Sequence, residues 1–399
     1  MPIGVGRFTI DPTLANNRRR SSVHSAHARD ALLTAAISLA FFVACTRKPA
    51  PPQPYLAFAL SRESHSVAAI ELQDFHVVAA IPVSTRAERL LARPLHRELY
   101  VVGADGRIDV IAFPALRVVH SLQAGSAARG LAFTPDGRQA FTLNPSTEET
   151  VSLDCTTGKV ATSMRLGAPL ANLAITPDGK TLIAVSEAEN RLFFLSVEGQ
   201  KLQGTLEVGR APRSLAILPD GSKVFVADAG EEKITAVDVG SRQILSHIEI
   251  GVKPGALLAK PDGGELFALA PQASSLVIID AFHDNVSQTL PTGREPVAGV
   301  FRRDSTVLYI ANAGDGSVTT FDVQNRQVLA STQVGREPDA LALTPDERFL
   351  VVADRATGSL AVLVAEPARL AKLKSALVTT VPVGADPVEV VVPDWQWKE

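Results

Sequence analysis

Three arginines, Arg210, Arg294 and Arg336, each follow a glycine that closes a unit of the sequence, the last two 42 residues apart. Guanidinium forks suit carboxylate and phosphate, so arginines gathered at one place would receive an anionic group. Glutamates answer them in the sequence: Glu295 and Glu337 lie beside two of the arginines, and Glu148, Glu149, Glu187, Glu189, Glu231 and Glu232 fall in loops of the same face. An anion-binding cluster and a solvated mixed-charge rim are both open readings. Glu295, Glu337 and Asp386 are also the carboxylates that acid/base catalysis at this place would use.

The remaining chemistry is thin. His65, His96 and His283 fall in loops and turns, and His76, His120 and His247 on edge strands, so they do not converge as metal ligands must. Asp-Gly loops such as Gly314-Asp315-Gly316 and Ala104-Asp105-Gly106 hold too few carboxylates for the roughly six to eight oxygens of calcium. Asp154, Asp238, Asp280 and Asp322 recur in several units, which marks hairpin caps rather than a catalytic group. Cys155 has no nearby histidine and reads as a half-buried thiol. No metal and no cofactor is expected.

Charge and cysteine count narrow the class. The 399 residues carry 39 Lys plus Arg and 42 Asp plus Glu; residues 1–44 hold five of the basic and two of the acidic ones, leaving 34 against 40 after Ala44. That balance excludes a nucleic-acid binder, which needs a Lys/Arg excess to displace phosphate counterions. Two cysteines, Cys45 and Cys155, exclude a disulfide framework and an iron–sulfur site.

The first 54 residues differ from the rest. A polar, basic stretch containing Arg18, Arg19 and Arg20 precedes a 14-residue apolar run, Ala31–Ala44. That run is shorter than the ~20 residues a membrane span needs and matches the core of an export signal. It ends in Phe42-Val43-Ala44-Cys45, which resembles the lipobox of bacterial lipoproteins, with Phe42 departing from the usual leucine. The resemblance implies lipidation at Cys45, with residues 1–44 removed as a signal peptide. A plain secretory signal and an uncleaved anchor are the alternatives. Residues 45–54 are proline-rich and read as an extended tether.

From residue 55 onward one motif repeats. Asp136, Asp178, Asp220, Asp262, Asp304 and Asp346, most within Pro-Asp-Gly turns, step by 42 residues, as do Phe141, Ile183, Phe225, Phe267, Tyr309 and Val351. Each unit holds four strand-like runs divided by turn residues, and many runs are apolar on both alternating faces. A lone sheet cannot bury both faces; sheets stacked radially in a closed ring can. The fold class is therefore all-β, a β-propeller over residues 55–399. Inner strands begin near Ala87, Ala128, Ala171, Arg213, Gly255, Val297, Asp339 and Val388, which makes eight blades rather than the alternative seven. The chain enters at Tyr55 with three strands lacking an inner one and leaves with Asp386–Asp394, an inner strand lacking three, so the ends share a blade. A short amphipathic helix is expected between Glu366 and Leu377.

At these residues the chain resembles the YVTN family of propeller repeats: Tyr309-Ile310-Ala311-Asn312, followed by a strand ending in Phe321-Asp322, matches its motif, while Asp228, Asp354, Ser186 and Ala270 depart from it. The resemblance implies a fold and leaves activity open, since such propellers include envelope proteins, lactonase-like enzymes and haem-associated modules. The expected function is a non-catalytic binding or scaffolding propeller, monomeric, exported and tethered through Cys45 to a bacterial membrane. Its partner would be an envelope protein or an anionic ligand held by Arg210, Arg294 and Arg336. A lactonase-like or lyase-like enzyme working at the channel mouth is the alternative.

Overall fold

The computed structural model describes residues 55–83, 87–366 and 375–395. The leader, Cys45 and the tether lie outside these residues, as does most of the segment expected to form a short helix.

Eight separate four-stranded antiparallel sheets follow one another along the chain. The fourth blade serves as the pattern, with strands Pro212–Ile217, Lys223–Asp228, Lys233–Asp238 and Gln243–Glu249 running from the axis outward. Inner strands open at Ala87, Arg129, Asn172, Pro212, Leu257, Pro296, Pro338 and Pro387, within two residues of expectation. Seven blades are excluded. In every outer hairpin the register slips at the same point, as between Ala236 and Val237; such a bulge sharpens the strand twist a radial blade requires.

Burial follows the two-faced apolar pattern. Val224, Phe225, Val226 and Ala227 are all buried, although alternate residues point to opposite neighbours. Ile183, Val185 and Phe194 of the third blade pack against Val224, Val226 and Val237 of the fourth in one cluster. Burying one such side chain is worth about 1.5–3 kcal/mol, and each blade makes two such contacts only because the ring closes.

Closure is made by the chain ends. The inner strand Pro387–Val391 pairs with Leu56–Ser61, opposing Val390 to Ala59 and Val391 to Phe58. Trp395 then packs edge-on to Phe58 at 6.1 Å and against Phe113 of the first blade at 5.4 Å. The Ser61 hydroxyl donates to the Val383 carbonyl at 3.0 Å, stitching the seventh blade to the eighth.

The repeat's polar residues serve turns. Asp136 Oδ1 accepts from the Thr134 hydroxyl at 2.6 Å and the Arg138 backbone N–H at 3.0 Å, and these bonds hold its carboxyl below the usual range. Asp154, Asp238, Asp280 and Asp322 cap the outer hairpins, each accepting a backbone N–H two or three residues on. The position that ends each second strand, Asn312 in the YVTN-like unit, meets the connection arriving from the previous blade. There Asp354 accepts the Arg336 N–H at 2.6 Å. A Cβ on Gly335 or Gly209 would collide with the Asp354 or Asp228 carboxylate. Where Asp or Asn ends the second strand, the unit-closing glycine is therefore the residue that lets backbone pass over this side chain, whereas Gly167 and Gly251, opposite Ser186 and Ala270, have open space.

Candidate functional site

The arginines singled out by spacing lie on the face that carries the blade-to-blade connections and the turns between second and third strands. Two of them are answered there. Arg210 Nε donates to Glu231 at 3.0 Å, and Arg294 Nε donates to Asp315 at 2.6 Å while its Nη2 reaches the Gly314 carbonyl at 2.7 Å. Glu231 and Asp315 are both held below the usual carboxylate range by these side-chain bonds. The pairing partner of Arg294 is thus Asp315, one turn away in the fold, and not its neighbour Glu295. Arg336 is exposed, and its backbone N–H is taken by Asp354.

Charge instead converges on the seam between the seventh and eighth blades. Arg355 and Arg62 stand one residue beyond the strand ends Asp354 and Ser61, the same point of adjacent units. Five other blades hold Ala104, Pro145, Ala229, Pro271 and Ala313 at that point, and the third holds Glu187, which pairs with Arg213 of the fourth at 2.7 Å. Both arginines reach Asp386, which sits in the connection before the inner strand of the eighth blade. Arg355 Nε donates to Oδ1 at 2.8 Å, and Arg62 Nη1 lies 3.5 Å from Oδ2. Asp386 adopts φ 55, a left-handed backbone that a short polar side chain tolerates better than most.

Two further carboxyls continue the charged line toward the axis. Asp339, on the inner strand of the seventh blade, lies 3.9 Å from Arg355 Nε, and burial raises its pKa. Glu389, on the inner strand of the eighth, accepts the Leu90 N–H at 2.6 Å and pairs with Arg89 of the first blade at 3.2 Å. Burial raises it as well, and the charge of Asp339 adds to the rise. At the corresponding inner positions the fifth and sixth blades carry Gly255, Ala256, Val297 and Ala298. The mouth is small and apolar at these two blades, while the fourth carries Arg213 at the same point, paired with Glu187 at 2.7 Å.

A polar cleft of about 570 Å³ opens over this seam, lined by Glu63, Glu337, Arg355, Thr357, Gly384 and Asp386. Arg355 offers its Nη groups and the glutamates are acceptors, with Asp339 3.9 Å from Arg355 Nε on the adjoining inner strand. The seam therefore gathers Glu337 and Asp386 from the expected carboxylates and leaves Glu295 one blade away. Sequence spacing missed Arg62, Arg355, Asp339, Glu389 and Arg89. The signal was present as two adjacent units carrying arginine where no other unit does, five having alanine or proline and one Glu187. Among the described residues no group of three His, Cys, Asp or Glu side chains is placed to hold a metal ion. Cys155 is buried at 6% exposure, and burial pushes its thiol pKa up.

Comparison with solved structures places the fold. Dihydro-heme d1 dehydrogenase NirN in complex with DHE superposes with a TM-score of 0.71 at 18% identity, covering 86% of this chain and 76% of that one. A functionally unknown protein from Desulfotomaculum acetoxidans DSM 771 gives 0.59 at 16% identity, over 73% and 98%. Kuenenia stuttgartiensis hydrazine synthase gives 0.53 at 20%, over 65% and 87%. At such identities the likeness concerns the fold alone. No curated protein matches the sequence. The family model described as lactonase, 7-bladed beta-propeller, matches residues 113–245 and 272–389, more than half of the chain. With eight blades where that description counts seven, the chain belongs to this lactonase-type β-propeller family.

Proposed function

We propose that this protein is a non-catalytic binding propeller of the bacterial envelope, tethered through a lipid on Cys45, that seats its partner in the cleft over the closing seam. The observation that carries this reading is the Arg62–Asp386–Arg355 bridge with Asp339 beneath it. It is a fixed array of alternating charge, on rigid strands, where two adjacent units carry arginine, five others alanine or proline, and the third Glu187. Loops positioned by such a scaffold serve recognition. The array takes a polar group that accepts from the free Nη atoms of Arg355, such as the carboxylate of a ligand or of an envelope protein. Arg336 supplies a further exposed positive charge on the same face, whereas Arg210 and Arg294 are engaged by their own turns.

The test is a pull-down from envelope extract with the native chain and with Arg355→Gln. Loss of the recovered partner, with the fold verified by circular dichroism, supports the reading. A partner retained by Arg355→Gln but lost with the pair Arg294→Gln and Arg336→Gln returns the site to those arginines.

A second reading rests on the family match together with Asp339. A half-buried carboxyl with a raised pKa, 3.9 Å from a guanidinium, suits general acid/base work with an anionic intermediate stabilised by Arg355. Ester or lactone hydrolysis that Asp339→Asn abolishes, in a protein that still binds its ligand, would establish it over the first.

A further inference from the structure

The repeat states what the fold requires at each position, so a departure that the fold does not require needs another cause. Two departures lie on the face opposite the cleft, the one formed by the turns between first and second and between third and fourth strands. Leu95 occupies the place of the turn aspartate, since the Arg93 N–H donates to Glu98 as the Thr134 N–H donates to Gln139; six other blades carry Asp136, Asp178, Asp220, Asp262, Asp304 or Asp346 there. Phe282 follows Asp280 and Ala281 in the outer turn of the fifth blade, where Thr156, Glu198, Gly240 and Gln324 stand in others. Leu95 is 86% and Phe282 77% exposed, the two most exposed large apolar residues described. The Phe282 side chain does not support its turn, which is capped by the Phe282 and His283 backbone N–H groups donating to Asp280 Oδ1 at 2.8 and 2.9 Å.

The chain enters the propeller on this same face. Tyr55 precedes the second strand of the eighth blade, and its carbonyl accepts from the Leu72 N–H at 3.1 Å, at the start of an outer turn. Tyr55 lies ten residue steps beyond Cys45; a proline-rich segment of that length reaches about 31 Å. The outer strands of seven residues stand about 23 Å tall, so a tether that had to pass round the rim would spend most of its reach.

We infer that this turn face, through Leu95 and Phe282, rests on the lipid surface to which the chain is tethered, leaving the cleft pointing away from the membrane. The inference deepens the proposed anchoring and rests on it. An apolar side chain at the first blade and another at the fifth, half a ring apart, together with the tethered chain entry at the eighth, give the ring three points of support and so fix its orientation.

The test uses the full chain, expressed with its leader and reconstituted into phosphatidylcholine vesicles containing brominated acyl chains. Leu95→Trp and Phe282→Trp are compared with Glu232→Trp, an exposed position on the opposite face, each read as emission beyond that of the native tryptophans. Loss of the added emission for the first two and its retention for the third is the expected result. Vesicle-bound protein in which all three keep their emission overturns the inference while leaving the anchor intact. Protein that does not float with the vesicles, with no lipid on Cys45 by mass spectrometry, overturns both. Leu95→Asp with Phe282→Gln restores the residues of the other blades and is expected to leave the melting temperature unchanged while broadening orientation.

Discussion

Replacing Asp228 by Asn is expected to stabilise the protein at neutral pH. Asp228 ends the second strand of the fourth blade and is wholly buried. Its Oδ2 accepts from the Thr235 hydroxyl at 2.7 Å, and its Oδ1 has no side-chain or backbone partner of good geometry. Burial pushes its pKa to about 6, from an ordinary 3.8, more than the Thr235 bond pulls it down. A carboxyl raised on folding stabilises the native state below its unfolded pKa and loses that contribution as pH rises through the folded one. A rise of this size corresponds to about 3 kcal/mol of stability missing at pH 7. Asn312 shows that the position accepts an amide, its Nδ2 donating to Thr319 Oγ1 at 2.9 Å. In Asp228→Asn the Thr235 hydroxyl would turn to His247 Nδ1, which lies 3.0 Å away. Urea denaturation should therefore give a higher midpoint for the variant at pH 7, and a difference that shrinks toward zero as pH falls below about 4. An unchanged midpoint at pH 7, or a gain independent of pH, would refute the reasoning.

Other expectations are simpler. Deleting residues 386–399 removes the inner strand of the closing blade and leaves Ala57, Ala59 and Phe58 uncovered, so the melting temperature should fall in one cooperative transition; an unchanged value would contradict closure by the chain ends. Asp386→Asn should cost about 1.5–3 kcal/mol, the value of hydrogen bonds to charged groups, measured by denaturation at pH 7. Arg294→Gln with Arg336→Gln should change stability by less than about 0.5 kcal/mol, because both side chains are exposed. Cys45→Ala should move the protein out of the membrane fraction, and a variant still carrying lipid would sink the lipoprotein assignment.

The ring was legible because a 42-residue step leaves few alternatives. Each turn aspartate, each unit-closing glycine and the split between Tyr55 and Val388 followed from local chemistry repeated many times. The site was less legible for the same reason. Spacing drew attention to Arg210, Arg294 and Arg336 because they recur, and recurrence marked positions where the blade supplies its own answer, Glu231 and Asp315. Arg62 and Arg355 escaped because they belong to units more than 290 residues apart in sequence that only closure makes adjacent. Asp339 and Glu389 escaped because burial, which gives them their raised pKa values, is invisible until inner strands are set side by side.

In a ring of like units, any role that serves the fold must be filled in every blade. A role that serves recognition need be filled once, so it is found where a unit breaks the pattern without weakening its own turns. The seam between the seventh and eighth blades meets that condition three times over, with Arg355, Arg62 and Asp386. The turn face meets it twice, with Leu95 and Phe282. The two sets lie on opposite faces, and the chain enters on the second. Under the proposed anchoring, a tether that holds the entry face at a surface would present the other face, and with it the cleft, to solution. The charged bridge also ties the C-terminal strand to its neighbours, with the Arg62 N–H donating to the Asp386 carbonyl at 2.9 Å and the Ala385 N–H to the Ser64 hydroxyl at 2.7 Å. Binding to Arg355 would therefore act on the residues that hold the ring closed, and a ligand that fits the seam should raise the unfolding temperature of the whole propeller rather than of one blade.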